Sequence, residues 1–341
     1  MHSRFAEHVE HLRQKRLKKI SFNPFNRVMS FAIRCEELTK TYPGKPPVEA
    51  VRGISFEVQT GECYGVLGPN GAGKTTTIEI LEGLLNATSG SAEVLGMKWG
   101  RDDNAIRQRI GVSLQETQLS ERLTVLETLN LFRSFYANGI SAQQAIDRVS
   151  LAEKKNTWIK NLSGGQKQRL AVATALVGDP DLIFLDEPTT GLDPTSRREL
   201  WEIIESFADA GKTVLLTTHY MEEAERLCDR VAIFDSGKII TEGTPNGLIR
   251  SLGAEHVVEF STDRDLGDDD LTTLRQIESV DQVEAFNDEY RVTLGQPHQV
   301  LPKLINHLSS KEIAMTGLTT RSASLEDVFV AKTGRHLTDG A

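Results

Sequence analysis

The residues best suited to bind a phosphate run from Gly68 to Thr75, where the chain reads G-P-N-G-A-G-K-T and fits the pattern G-x-x-x-x-G-K-[ST]. A buried-strand pattern precedes this loop and a helical pattern follows it, so backbone N–H groups and a helix N-terminus face one anion. Lys74 is then expected to reach the β- and γ-phosphates of a nucleotide, and Thr75 to bind Mg²⁺. The predicted nucleotide contacts of this loop are Gly68, Pro69, Asn70, Gly71, Ala72, Gly73, Lys74, Thr75 and Thr76.

A pair of acids follows the apolar run Leu182–Leu185. A strand of this kind would place Asp186 beside the Mg²⁺, where phosphate-loop enzymes hold the ion. Glu187 would then face an attacking water and act as the proton acceptor that the loop itself does not supply. Two solvated acids at an ordinary strand end are the alternative, and the presence of the phosphate-binding loop favours the catalytic interpretation.

A second anion-binding helix start is predicted where the chain reads L-S-G-G-Q, followed by an amphipathic helix. A serine can cap such a helix, and the two glycines leave backbone N–H groups accessible. One nucleotide in one chain does not need two such sites, whereas two copies arranged head to tail would use both. The nucleotide contacts predicted from the second copy are Ser163, Gly164, Gly165 and Gln166.

The composition is that of a globular protein of one large or two ordinary domains, with 341 residues and a net charge of −9. This charge argues against nucleic-acid binding through an overall basic surface, so no nucleic-acid partner is expected. No apolar run approaches the roughly 20 residues that span a bilayer. Three scattered cysteines indicate a reducing compartment rather than a disulfide framework or a zinc site.

Two segments differ from the rest of the chain in composition. Residues 1–30 are basic, and we expect a disordered extension there; a basic amphipathic helix on anionic lipid is the alternative. Residues 246–341 are more acidic, and their periodicity predicts β-α-β-β-α-β, the order of a ferredoxin-like module, followed by a closing helix. These segments flank a predicted α/β domain.

That domain alternates strand-like and helix-like segments between Phe31 and about Pro245. Continuous apolar strands such as Thr213–Thr217 favour a mainly parallel, two-sided sheet, with functional loops at the carboxyl ends of its strands. Residues 116–161 are instead rich in helical patterns, with Ser141 as a candidate N-cap, and predict an inserted helical subdomain.

The phosphate-binding loop, the L-S-G-G-Q segment and the L-I-F-L-D-E strand, in this order and spacing, resemble the ATP-binding subunits of ATP-binding cassette (ABC) transporters over about residues 31–245. The resemblance implies an α/β P-loop ATPase with a RecA-like core, an antiparallel β subdomain and the inserted helical subdomain, joined to a small α+β C-terminal module. It also implies ATP and Mg²⁺ as cofactors, a pair of ATPase subunits, and integral-membrane permease partners at the cytoplasmic face of the cell membrane.

Four further roles follow from the resemblance by position. Tyr42 would stack on adenine, although a surface turn aromatic is the alternative. Gln115 would contact Mg²⁺ or water and link to the helical subdomain. Asp193 would lie in a loop crossing between protomers, and His219 would contact the γ-phosphate unless it is a core histidine. The implied catalytic residues are Lys74, Gln115, Glu187 and His219, and the implied metal ligands are Thr75, Gln115 and Asp186.

Two motifs in the later part of the chain narrow the resemblance to one branch of the family. The segments 219–225 (H-Y-M-E-E-A-E) and 324–329 (S-L-E-D-V-F) are similar to those of drug, lipid or polysaccharide exporters of the daunorubicin-resistance type. A non-transport ABC ATPase with a regulatory C-terminal module is the alternative from another class. A third interpretation makes that module a ligand-sensing regulator.

Overall fold

The computed structural model describes residues 30–114, 118–253, 256–286 and 289–334. These residues form two compact units, one ending at Glu242 and the other starting at Gly243, close to the boundary expected at Pro245. Except for Ser30, the predicted N-terminal extension lies outside the described residues, and so does Gln115.

The first unit contains, in chain order, β1 (Phe31–Tyr42), β2 (Val48–Gln59), β3 (Cys63–Leu67), α1 (Lys74–Leu81), β4 (Ser89–Val94), α2 (Asp103–Arg107), β5 (Ile110–Ser113), α3 (Val125–Arg133), α4 (Ala142–Arg148), α5 (Gly164–Leu176), β6 (Leu182–Asp186), α6 (Pro194–Asp209), β7 (Thr213–Thr218), α7 (Met221–Leu227), β8 (Arg230–Asp235) and β9 (Lys238–Gly243). Short 3₁₀ turns cover Ala152–Lys154 and Ile159–Asn161.

A six-stranded sheet in the order β5-β6-β7-β3-β8-β9 positions the candidate site. The strand pairs from β5 through β8 are parallel. Every residue of β3, β6 and β7 is buried, as expected for strands covered on both faces. The carboxyl ends of these three neighbouring strands lead into the phosphate-binding loop, into Glu187 and into His219, so the parallel sheet brings the three segments to one edge.

A second, antiparallel sheet has the order β2-β1-β4. The apolar segments Phe31–Cys35 and Ile54–Val58 predict two short strands, and both β1 and β2 are longer than these segments. The pairing shifts register between Cys35 and Leu38, where Glu37 has a φ of 45°. This bulge and the polar residues around it interrupt the alternating pattern of apolar and polar residues. The sequence pattern therefore does not indicate that β1 continues beyond Cys35.

The helices between the strands begin where the sequence offers a capping residue. In the predicted helical subdomain, α3 and α4 start with reciprocal capping boxes, Thr124 with Glu127 and Ser141 with Gln144. The structure thus confirms the cap predicted at Ser141.

The second unit contains α8 (Pro245–Arg250), β10 (His256–Thr262), α9 (Asp268–Arg275), β11 (Val280–Phe286), β12 (Glu289–Leu294), α10 (Pro297–Ser310), β13 (Met315–Ser322) and α11 (Leu325–Thr333). Its sheet has the order β11-β12-β10-β13, and every neighbouring pair is antiparallel. Each β-α-β unit is thus split by one intervening strand, which is the predicted ferredoxin-like arrangement. None of the helices in the described ranges combines the length and the apolar character that a membrane crossing requires.

Candidate nucleotide-binding site

The loop between β3 and α1 has the backbone geometry of an anion cradle. Gly73, the residue before α1, has a φ of 95°, and a Cβ there would lie 2.4 Å from the Ala50 carbonyl oxygen. Only glycine fits both constraints without strain. Gly73 also has no side chain to cap α1, so the first N–H groups of this helix remain available to a ligand. These features fit the phosphates of a nucleotide.

The ammonium group of Lys74 lies over this loop. Its Nζ donates to the carbonyl oxygens of Gly68 at 2.7 Å and Pro69 at 3.1 Å, and lies 3.5 Å from Glu187 Oε1. Burial lowers the pKa of Lys74, while the charges of Glu187 and Asp186 oppose that change. The lysine thus contacts the loop and the acid beyond β6 at the same time.

Thr217, on the neighbouring strand β7, orients both acids at the end of β6. Its hydroxyl donates to Asp186 Oδ1 at 2.5 Å and accepts from the Glu187 N–H at 2.9 Å. Burial, and to a smaller extent the charge of Glu187, raise the pKa of Asp186, whereas Thr217, Lys74 and the Thr75 hydroxyl lower it. A buried carboxylate with a hydroxyl beside it is an all-oxygen donor set, which suits Mg²⁺.

Glu187 is held in a strained backbone conformation and by three side chains. It has a φ of 43°, in the left-handed region that non-glycine residues rarely adopt. Its Oε2 accepts from the Thr190 hydroxyl and lies 3.1 Å from His219 Nδ1, while Oε1 faces Lys74. The hydrogen bond with His219 is the largest cause that lowers the pKa of Glu187 to about 2, and Lys74 and Thr190 add to it against the effect of burial. The carboxylate is therefore ionised at neutral pH.

Tyr42 lies close to the start of α1, with its Oη 3.5 Å from Thr76 Oγ1. Lys40 Nζ lies 5.3 Å from the centroid of the tyrosine ring. Tyr42 as a whole is half-buried. Its predicted stacking on adenine stays a prediction, as does the role of Gln115.

The L-S-G-G-Q segment begins α5. Ser163 caps the helix in a reciprocal box with Gln166. A Cβ on Gly165 would lie 2.4 Å from Ser196 Oγ at the start of α6, whereas a Cβ on Gly164 would meet open space. Within the described part of the chain, no hydrogen bond or ion pair joins residues 163–166 to the phosphate-binding loop.

Asp193 caps α6. Its carboxylate accepts from the N–H groups of Thr195 and Ser196, both at 3.1 Å, and from the Ser196 hydroxyl at 2.7 Å. These bonds lower the pKa of the aspartate, with the Ser196 hydroxyl as the largest cause. Since Ser196 also contacts the position of Gly165, the Asp193 loop and the start of α5 are neighbours in one chain.

Sequence reasoning missed Thr217, although it bonds both predicted acids. The available signal was a hydroxyl near the end of an otherwise apolar strand that precedes His219. It also missed Thr190, which follows Glu187 by three positions and donates to its carboxylate.

Comparison with known proteins identifies the family of this chain. A family model described as "ABC transporter" matches residues 51–190. The Nod factor export ATP-binding protein I of Burkholderia lata is 42% identical over 299 residues, covering 85% of this chain and 93% of the relative.

Solved structures show the same fold. A dimeric ATP-binding cassette in a post-hydrolysis state, bound to ADP and Pi, is 28% identical with a TM-score of 0.57, covering 62% of this chain and 98% of that one. An ATP-binding subunit of an ABC transporter is 27% identical with a TM-score of 0.59, and the match covers 65% of this chain and 93% of that one. By sequence, fold and site geometry, the chain belongs to the ABC transporter family as an ATP-binding and ATP-hydrolysing subunit.

Proposed function

We propose that two copies of this chain, or one copy and a related chain, bind two ATP molecules between them and drive export through separate membrane-spanning subunits. One observation carries the catalytic part of this proposal. Lys74 and His219, the two groups expected to contact the γ-phosphate, both contact the carboxylate of Glu187. The same two side chains therefore serve either the acid or the phosphate.

This double role sets the basicity of Glu187. With Lys74 and His219 against it, the pKa of Glu187 is about 2, which makes the carboxylate a poor proton acceptor at neutral pH. When Lys74 and His219 contact the γ-phosphate instead, their interactions with Glu187 weaken. The pKa of Glu187 then rises, because these two interactions lower it. ATP binding thereby strengthens the base that hydrolysis requires.

In the hydrolytic step, Glu187 accepts a proton from water as the water oxygen bonds to the γ-phosphorus. The bond from that phosphorus to the bridging oxygen breaks, and ADP leaves with its electron pair. Thr75 and Asp186 would hold Mg²⁺, with Gln115 as a further predicted ligand, and the ion would supply charge stabilisation to the phosphates. Lys74 and His219 remain on the γ-phosphate and add positive charge there.

The pairing of two subunits explains the second anion site. Ser163 and Gly165 lie at a helix start that, among the described residues, has no hydrogen bond or ion pair with the phosphate-binding loop of its own chain, and a Cβ on Gly164 would meet open space. In the proposed pair they bind the nucleotide held by the other chain. Loss of the γ-phosphate removes the charge that both chains share, so hydrolysis favours separation.

The partner subunits are proposed to dock on the helical segment. Three large apolar side chains are exposed there: Leu131 by 46%, Phe135 by 62% and Trp158 by 48%. Exposed apolar side chains on one subdomain favour a protein interface. The name of the Burkholderia lata relative includes export, and the late sequence motifs are similar to those of drug, lipid or polysaccharide exporters, which together support export from the cytoplasmic face of the cell membrane.

Co-purification tests the transport proposal. Tagged chain is isolated from detergent-solubilised membranes, and bound proteins are identified by mass spectrometry. The proposal expects a polytopic permease, which Phe135→Glu should lose while ATP binding is kept. Val48→Glu is the matched control, because Val48 is exposed by 59% on β2. Recovery without any membrane protein from these membranes would favour the non-transport alternative.

A further inference from the structure

Glu223 is an acid buried within the first unit and outside the set of groups expected to touch ATP. It lies on α7, four positions after His219, and its exposed fraction is 0%. Its Oε1 accepts a hydrogen bond of 2.9 Å from Trp201 Nε1 on α6. Fully buried glutamates are rare unless they are paired, so the complete burial of Glu223 requires an explanation.

The Glu223 carboxylate also interacts with hydroxyl groups at the end of β7 and in the segment that follows β6. Glu223 Oε2 and the Thr189 hydroxyl are both buried, and neither has a partner in hydrogen-bond geometry among the residues described. The hydroxyls of Thr218 and Thr189 nevertheless lie close enough to lower the pKa of Glu223, which burial raises. Thr218 Oγ1 in turn accepts from the N–H of Tyr220 at 2.9 Å.

Thr218, Thr189 and Trp201 lie next to, or on the same element as, residues predicted to contact the nucleotide or the second subunit. Thr218 directly precedes His219, which contacts Glu187. Thr189 lies in the segment between Glu187 and Asp193, and Trp201 is on the helix that Asp193 caps. Glu223 therefore lies between the strand end that presents the histidine and the loop expected to reach the second subunit.

A packing role alone does not account for this carboxylate. Desolvation makes a buried acid costly, and an apolar side chain of similar size would often be as stable or more so. The contact between α6 and α7 already has another link, because Arg226 on α7 donates to both carboxylate oxygens of Glu205 on α6. Unlike that ion pair, Glu223 also interacts with the hydroxyls of Thr189 and Thr218.

We infer that Glu223 is a positioning residue that couples His219 to the Asp193 loop, so that binding of the γ-phosphate in one chain sets the loop that meets the other chain. The inference rests on the proposed function, in which His219 contacts the γ-phosphate and Asp193 lies at the subunit boundary. Movement at the end of β7 reaches Thr189 and α6 through the Glu223 carboxylate.

The test compares Glu223→Ala, Glu223→Gln and Trp201→Phe in the full-length chain, with Glu205→Gln as the matched control on the same helix pair. Glu223→Ala should lower the kcat of ATP hydrolysis about tenfold and leave the KM for ATP within about twofold. Glu223→Gln keeps the acceptor for Trp201 and should restore kcat to within about threefold. Trp201→Phe and Glu223→Ala should be non-additive when combined, because they remove one shared contact.

A second readout uses the Glu187→Gln background, in which ATP is bound but not hydrolysed. Adding Glu223→Ala should raise the ATP concentration for half-maximal dimer formation about tenfold, as measured by light scattering. If Glu187→Gln alone forms no ATP-dependent dimer, the proposed function fails. If it does, and Glu223→Ala changes neither kcat nor dimer formation, only the coupling role fails.

Equal losses of kcat in Glu223→Ala and Glu205→Gln would also overturn the inference, because they would indicate general helix packing. Should Glu223→Ala not fold, Trp201→Phe decides the question, since it removes the donor and leaves the carboxylate. Unchanged kcat and unchanged dimer formation in folded Trp201→Phe would then contradict the coupling role.

Discussion

Replacement of Glu187 by glutamine separates ATP binding from hydrolysis. The pKa of Glu187 lies at about 2, against an ordinary value of 4.5. At about 1.4 kcal/mol for each pKa unit, the contacts favour the carboxylate over a neutral group by about 3 kcal/mol. Glutamine resembles the neutral form, so we expect Glu187→Gln to lower the free energy of unfolding at pH 7 by up to about 3 kcal/mol.

ATP binding responds differently. The substitution removes the anion 3.5 Å from Lys74 Nζ and leaves the ammonium on two carbonyl oxygens of the loop. The affinity for ATP should therefore stay equal or increase, whereas turnover should fall about 10²- to 10⁴-fold with the loss of the proton acceptor. An ATP-bound dimer should accumulate.

Three measurements check this prediction: urea unfolding at pH 7, equilibrium binding of ATP, and phosphate release under saturating ATP. Glu62→Gln is the matched control, because Glu62 is also buried and pairs with Arg230 at 3.1 Å. The control should keep its turnover. Normal hydrolysis by Glu187→Gln would refute the role of this acid, and a large loss of ATP affinity would refute the competition for Lys74.

Three further predictions follow from the same contacts. Lys74→Ala should weaken ATP binding about 10- to 100-fold, measured by equilibrium dialysis, because charge-assisted bonds to phosphate are lost; unchanged affinity would contradict the loop assignment. Gly73→Ala should lower the melting temperature and ATP affinity more than Gly71→Ala, because its Cβ would lie 2.4 Å from a carbonyl oxygen of β2 while Gly71 has open space; equal effects in calorimetry would argue against this crowding. The pKa of Glu187 lies below its unfolded value, so its stabilisation is present above about pH 4.5 and is lost as the pH falls toward 2. Since His219 is the largest lowering cause, His219→Ala should shift this loss to higher pH in acid unfolding followed by circular dichroism, and an unshifted curve would contradict it.

Local patterns in the sequence were enough to predict the buried strands and helix caps. The strand β6 has the bounds expected from its apolar run, and Ser141 and Ser163 cap the helices that follow them. These features depend on neighbouring residues alone, which the sequence displays directly. The predicted ranges of β1 and β2 were too short, because bulged antiparallel pairing extends both strands.

The arrangement around Glu187 could be predicted only in part. The motifs indicated Lys74, Asp186 and His219 as site residues. They did not indicate that Lys74 and His219 would both contact the carboxylate of Glu187. Thr217 bonds residues about 30 positions away, and Trp201 meets Glu223 across two helices. Such contacts depend on the order of parallel strands and on helix packing, which periodicity does not specify.

Crosslinking between separate chains tests the shared nucleotide most directly. One Glu187→Gln protein carries Asn70→Cys and the other Asn161→Cys; both positions are exposed, and the native Cys35, Cys63 and Cys228 are buried. A short bis-maleimide should join the two proteins in saturating ATP and fail to do so in ADP or when Lys74→Ala is added. No crosslink between the two chains in ATP, or one that forms equally without nucleotide, would contradict the account.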